Sequence, residues 1–123
     1  MKLTELRGVV PPIATPFTKA GEVDIKSLER LTEHLIKGGV HGIFCLGSTG
    51  ECAALTDLER KTIVRTVVQT STDRVPVFAG ITETSTKRAI ALGRLVIEAG
   101  AAAVVVAPPF YHKYSQDEMI QYY

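Results

Sequence analysis

The chain has 123 residues, 46% hydrophobic and 22% charged, which is material for one compact core and too apolar for a disordered chain. Its 14 Lys and Arg against 13 Asp and Glu leave no net field to draw nucleic acid or an anionic membrane, so neither is an expected partner. The opening Met1-Lys2-Leu3-Thr4-Glu5 carries no signal-peptide pattern and no apolar run approaches the roughly 20 residues of a membrane span, so the cytoplasm is the expected location.

In chain order, strand-length apolar runs alternate with longer segments of helical period, the pattern of a parallel sheet with crossover helices. The first expected strand is 8–15. A first helix follows, with Leu28, Leu31, Leu35 and Ile36 on one face, Asp24 as its cap and Gly38-Gly39 as its stop. A second strand is expected over 40–46. A second helix runs from about Thr56 to Thr70, burying Ile63, Val64, Val67 and Val68, and Thr56 and Glu59 have capping-box spacing. The third strand is 75–80, and the third helix runs from about Ser85 to Ala99, carrying Ala89, Leu92, Gly93 and Val96 inward before Gly100. The fourth strand is 102–107. A last helix begins at Ser115, where Ser115 and Glu118 repeat the capping-box spacing, and the chain ends within it. Near-continuous apolar runs in three of the strands fit a sheet covered on both faces.

Four strand-helix units are half of a closed (β/α)₈ barrel, which typically needs about 250 residues. Residues 1–123 therefore read as a single partial domain, the N-terminal half of such a barrel with four parallel strands. The alternative is a small open doubly wound sheet, complete at about this size. Its GxGxxG fingerprint is absent after the first strand, where the sequence reads Thr15-Pro16-Phe17-Thr18-Lys19-Ala20-Gly21.

Three segments sit where strands would deliver chemistry to the carboxyl edge. Gly47-Ser48-Thr49-Gly50-Glu51 follows a strand and precedes a helix. Its glycines permit a tight turn that bares backbone amides, and its hydroxyls are short neutral donors, so a small carboxylate or phosphate would be held there. An ordinary helix-capping turn is the plain alternative. Ala107-Pro108-Pro109-Phe110-Tyr111 ends the fourth strand, with the prolines presenting the Tyr111 phenol rigidly as a proton carrier or oxyanion donor; an aromatic packed in an interface is the other reading. Thr15 closes the first strand, where turn formation competes with a role at the same mouth. Glu51 reads as a cap or support rather than a pocket residue.

The remaining titratable groups read as structural. Lys2, Lys19, Lys26, Lys37, Lys61, Lys87 and Lys113 interrupt no apolar strand and read as solvated charges. His34 and His41 read as structural and His112 as surface, although His112 adjoins Tyr111. With carboxylates dispersed there is no metal-ligand spacing, and neither a metal nor another cofactor is expected. Cys45 and Cys52, without a CxxC pattern, read as reduced thiols.

At Gly47-Ser48-Thr49-Gly50-Glu51 and Ala107-Pro108-Pro109-Phe110-Tyr111 the chain resembles the dihydrodipicolinate synthase and N-acetylneuraminate lyase family. Thr15-Pro16-Phe17, the Gly21 to Asp24 stretch and Pro76-Val77-Phe78-Ala79-Gly80 extend the likeness from about Leu6 onward. The resemblance implies a barrel enzyme, a dimer of dimers, that joins pyruvate or another 2-keto acid to a lysine as a Schiff base. It then makes or breaks a carbon-carbon bond with an aldehyde co-substrate. By the same resemblance Ser48 and Thr49 bind the pyruvate carboxylate, Ser48 also belongs to a proton relay, Thr15 supports substrate binding, and Tyr111 is the relay tyrosine lent to the neighbouring subunit. The family's second relay tyrosine and its Schiff-base lysine fall on later strands, so a chain limited to these residues is expected to be inactive.

Among relatives, 4-hydroxy-tetrahydrodipicolinate synthase is the leading expectation, with N-acetylneuraminate lyase and 2-keto-3-deoxy sugar acid aldolases beside it. Thr84 and Arg88 stand where lysine-inhibited synthases carry polar and acidic groups, and a cation at Arg88 would repel an ammonium. A different class of reading is a non-catalytic half-barrel that binds carboxylates or self-associates through open sheet edges.

Overall fold

The computed structural model describes residues 7–123. Met1 to Leu6, which include Lys2 and the start of the family likeness, lie outside the described residues. Helices α1 (Ile25–Lys37), α2 (Asp57–Ser71), α3 (Thr86–Glu98) and α4 (Gln116–Tyr122) alternate with strands β1 (Ile43–Cys45), β2 (Val77–Gly80) and β3 (Ala103–Val105). The strands form one parallel sheet in the order β1-β2-β3, with Ile43 opposite Val77 and Phe78 opposite Ala103.

The sheet has three strands, and the first of the four expected, over 8–15, is not one of them. That segment lies parallel to β1 but touches it through a single bridge between Pro12 and Phe44. His41 N–H donates to Val9 O at 2.8 Å, Phe44 N–H to Pro11 O at 3.0 Å and Ile13 N–H to Phe44 O at 2.9 Å. Pro11 and Pro12 have no N–H to give, so the strap has a strand's path without a strand's ladder. The other strands are each shorter than their apolar runs and lie inside the expected spans.

The helices begin and end where local chemistry places them. Asp24 Oδ1 accepts from Ser27 N–H at 3.1 Å, and Ser85 caps α3. Thr56 with Glu59, and Ser115 with Glu118, close both arms of a capping box, each satisfying an amide that the helix cannot. Left-handed backbone at Gly39 and Gly100 turns the chain out of α1 and α3.

The core lies between the sheet and α2, which packs on α1, α3 and β2. Leu28 of α1, Ile63, Val64 and Val67 of α2, and Val96 of α3 meet Ile43, Cys45 and Ala79 of the strands there. Gly93 is only half-buried. β3 departs from the expectation of cover on both faces, because Val104 is 41% and Val105 38% exposed at the sheet edge. Among the described residues no helix is long and apolar enough to cross a membrane.

Candidate active site

The carboxyl ends of all three strands open onto one cleft of about 700 Å³. Phe44, Leu46, Gly47, Ser48, Glu51 and Cys52 line it from β1 and the following loop, Gly80 and Thr82 from the end of β2, and Val105, Ala107, Pro108 and Phe110 from β3 and beyond. Its walls are mostly apolar, with Ser48, Glu51 and Thr82 as the polar side chains, a composition suited to a small, partly charged organic molecule.

The loop after β1 is two short 3₁₀ turns, Ser48–Gly50 and Cys52–Ala54. The expectation that its glycines supply the tight turn is corrected: the left-handed residues are Leu46 (φ 58°) and Glu51 (φ 56°), whereas Gly47 sits at φ −83°. Gly47 matters for space instead, since a Cβ there would lie 2.8 Å from the Phe44 ring. At Gly80 a Cβ would collide with the backbone carbonyl of Leu46, so β2 and the start of the loop approach as closely as they do only without a side chain.

The expected site residues are distributed unevenly around this cleft. Ser48 lines it and is exposed, and Thr49 is exposed beside it. The first amides of the 48–50 turn have no partner within the turn. Thr15 is only 6% exposed, and its hydroxyl donates to Gly50 O at 2.7 Å, so it braces the loop from beneath. Glu51 makes no capping hydrogen bond and lines the cleft, against the expectation that it stays out of the pocket. Tyr111 is 86% exposed, has a left-handed φ of 82° and meets the His112 ring edge-on at 4.6 Å. The residue that turns into the cleft from this loop is its neighbour Phe110.

Other expectations are placed as follows. Lys19, Lys26, Lys37, Lys87 and Lys113 are exposed and Lys61 half-buried, all on loops or helices. His34 is exposed in the last turn of α1, whereas His41 Nδ1 accepts from Val9 N–H at 3.1 Å and ties the strap to β1. Both cysteines are free thiols. Burial pushes the Cys45 thiol up to about 12, while Cys52 is half-buried at the cleft wall. Among the described residues no three His, Cys, Asp or Glu side chains gather as a metal site.

A buried ionic cluster behind the loop was not anticipated. Arg60, 5% exposed, donates to Glu83 Oε1 at 2.5 Å, to Asp57 Oδ1 at 3.3 Å and to the carbonyl of Cys52 at 2.8 Å. Arg88 Nε reaches the other oxygen of Glu83 at 3.0 Å. Burial raises the Glu83 pKa, but hydrogen bonds from Arg88 and Arg60 and their charges outweigh it and hold the carboxyl below its ordinary value. Arg88 is thus paired with Glu83, although its side chain stays largely exposed. The sequence did carry a signal for Arg60, since it falls on the stripe of Val64, Val67 and Ser71, the buried face of α2.

Hydrogen bonds also tie the three strand ends together. Ala107 N–H donates to Thr82 Oγ1 at 2.8 Å, and Tyr122 Oη donates to Glu83 O at 3.0 Å while accepting from Glu83 N–H at 3.3 Å. The loop after β1, the end of β2 and the loop after β3 are therefore one connected rim.

Comparison with known proteins agrees with this arrangement. The sequence profile of the Dihydrodipicolinate synthetase family matches residues 5–123. The chain is 42% identical over 118 residues to 4-hydroxy-tetrahydrodipicolinate synthase of Sorangium cellulosum, covering 95% of this chain and 39% of that protein. It is 40% identical over 116 residues to an Escherichia coli protein provisionally named 2-dehydro-3-deoxy-D-gluconate aldolase YagE, covering 94% and 38%. The chloride-inhibited dihydrodipicolinate synthase of Acinetobacter baumannii, solved with pyruvate, superposes with a TM-score of 0.91 at 34% identity over 95% of this chain and 40% of that one. The chain thus spans about two-fifths of the length of the relatives it matches. On the family profile, the identities and the superposed fold, the chain belongs to the dihydrodipicolinate synthetase family.

Proposed function

We propose that this chain supplies the 2-keto-acid-binding part of a class I pyruvate-dependent aldolase, with 4-hydroxy-tetrahydrodipicolinate synthase as the leading activity of the whole protein. The observation that carries this reading is the cleft with Ser48 at the start of the short turn on its rim, in a chain whose relatives include a synthase solved with pyruvate. In the proposal, the amides and hydroxyls of Ser48 and Thr49 hold the carboxylate. Thr15 keeps the loop in place through Gly50 O, and the apolar wall of Phe44 and Phe110 excludes water around the keto carbon. Ser48 passes protons, and Tyr111, exposed as it is, serves the site of a neighbouring subunit in a dimer of dimers.

Schiff-base chemistry needs an amine made neutral and nucleophilic by desolvation. None of the lysines among the described residues lies in a strand or lines the cleft, so the proposed lysine belongs to a segment that these residues do not include. The 123 residues alone are proposed to bind but not to activate the substrate. Incubating the protein of the whole reading frame with pyruvate, reducing with borohydride and weighing it tests the reading. A covalent adduct on the long form and none on the 123-residue chain is the expected result; no adduct on the long form would sink it. YagE's similarity keeps a sugar-acid aldolase as the second reading, and turnover of 2-keto-3-deoxygluconate against aspartate semialdehyde with pyruvate separates the two.

A further inference from the structure

One buried side chain joins the loop after β1 to the end of β2. Arg60 reaches from α2 to the carbonyl of Cys52 on one side and to Glu83, just past β2, on the other, at 2.8 and 2.5 Å. Cys52 N–H in turn donates to Gly47 O at 3.4 Å, and Glu51 N–H to Ser48 O at 3.0 Å, so a shift of Cys52 carries the Ser48–Thr49 turn with it. On the far side Glu83 follows Thr82, whose hydroxyl holds the amide of Ala107 at the start of the Pro108–Tyr111 loop.

Stability is a poor explanation for this pair. Both side chains are nearly inaccessible, at 6% and 4% exposure, so each loses its hydration, and an apolar pair of similar volume is often as stable or more so. Arg60 Nε is also buried without a partner, a cost that a stabilising design would avoid. What the arrangement supplies is a planar fork whose geometry fixes the separation between two acceptors, a property that a lysine cannot copy.

We propose that Arg60 and Glu83 are positioning residues for the keto-acid site, locking the carbonyl of Cys52 to the end of β2 and so setting the spacing between the Ser48–Thr49 turn and the Pro108–Tyr111 loop. The assignment rests on the reading of the cleft as a 2-keto-acid site. Arg60 and Glu83 act through the loops, and neither needs to touch substrate.

The test uses the protein of the whole reading frame, with adduct formation by pyruvate and borohydride as one readout and deuterium uptake of residues 47–56 as another. R60K keeps the charge but loses the fork, and E83Q keeps the shape but loses the charge. Each is expected to raise half-saturating pyruvate about tenfold, with a smaller fall in the saturated trapping rate, and to increase uptake in 47–56 alone. R74K, which alters the surface pair with Glu33, is expected to change neither readout. R60M/E83M separates positioning from folding, because it should recover the melting temperature without recovering pyruvate saturation. Wild-type saturation in R60K and E83Q, or joint recovery of melting and saturation in R60M/E83M, would overturn the proposal. Should the wild-type protein form no adduct, the keto-acid reading fails, and unchanged uptake in R60K would then overturn the lock independently.

Discussion

At the scale of single residues, the environment of each thiol sets what it can do. Cys45 of β1 is fully buried in the core, and with its pKa pushed up to about 12 it has almost no thiolate at neutral pH. Cys52 lies half-buried on the wall of the open cleft. Labelling the native chain with an alkylating reagent should therefore modify Cys52 first and Cys45 only on the timescale of unfolding, with peptide mass spectrometry reading the order; equal rates would contradict the packing. The placement of Ser48 on the cleft was legible in the sequence because glycines and hydroxyls directly after a strand form a local pattern. The roles of Thr15 and Glu83 were not, since a hydroxyl gains its meaning from Gly50 and a carboxylate from Arg60, and neither partner is near in sequence. Local pattern also misled at Gly47, where the need was space beside Phe44 rather than a turn.

At the scale of elements, the capping boxes fix where α2 and α4 start. The Thr56 hydroxyl accepts from Glu59 N–H, and the Glu59 carboxylate accepts from the Thr56 hydroxyl and from Thr56 N–H, each at 2.7 Å; the two bonds to the carboxylate hold the Glu59 pKa below its ordinary value. Thr56→Ala should lower unfolding free energy by about 1 kcal/mol in urea titration, with the slope unchanged. All four helices were readable from local signals, helical period in the first three and capping-box spacing in the second and fourth. The strap over 8–15 failed as a strand because its apolar run told of burial, whereas a ladder needs N–H groups that Pro11 and Pro12 lack. β3 failed in the other direction: its valines read as covered on both faces, but cover depends on which elements lie beside it.

At the scale of the whole molecule, the acid limb of stability depends on carboxylates whose pKa falls on folding. For Glu83 the folded value lies below the unfolded one, so its contribution is complete above the ordinary carboxylate value of about 4.3 and is lost as pH falls through the depressed value. Melting temperature should drop across that window, and E83Q, lower at neutral pH, should show a shallower acid limb. Asp24 and Glu118, held below their ordinary values by hydrogen bonds at helix starts, add to the same limb. The exposed edge of β3, with Val104, Val105 and Val106 in a row, gives a second prediction. The 123-residue chain alone should show concentration-dependent association by light scattering, and Val104→Lys should reduce it. A concentration-independent monomer would show that the edge is protected without further chain.

The cluster behind the loop after β1 also constrains descent. A change at Arg60 alone leaves the Glu83 carboxylate in the interior beside only Arg88, and a change at Glu83 alone leaves the buried Arg60 guanidinium with only the exposed Asp57 carboxylate and the Cys52 carbonyl, so either single step is a loss of several kcal/mol in a buried setting. Lineages diverging from this chain should therefore keep residues 60 and 83 together or exchange them together, and that covariation would be visible between positions 23 residues apart on separate elements.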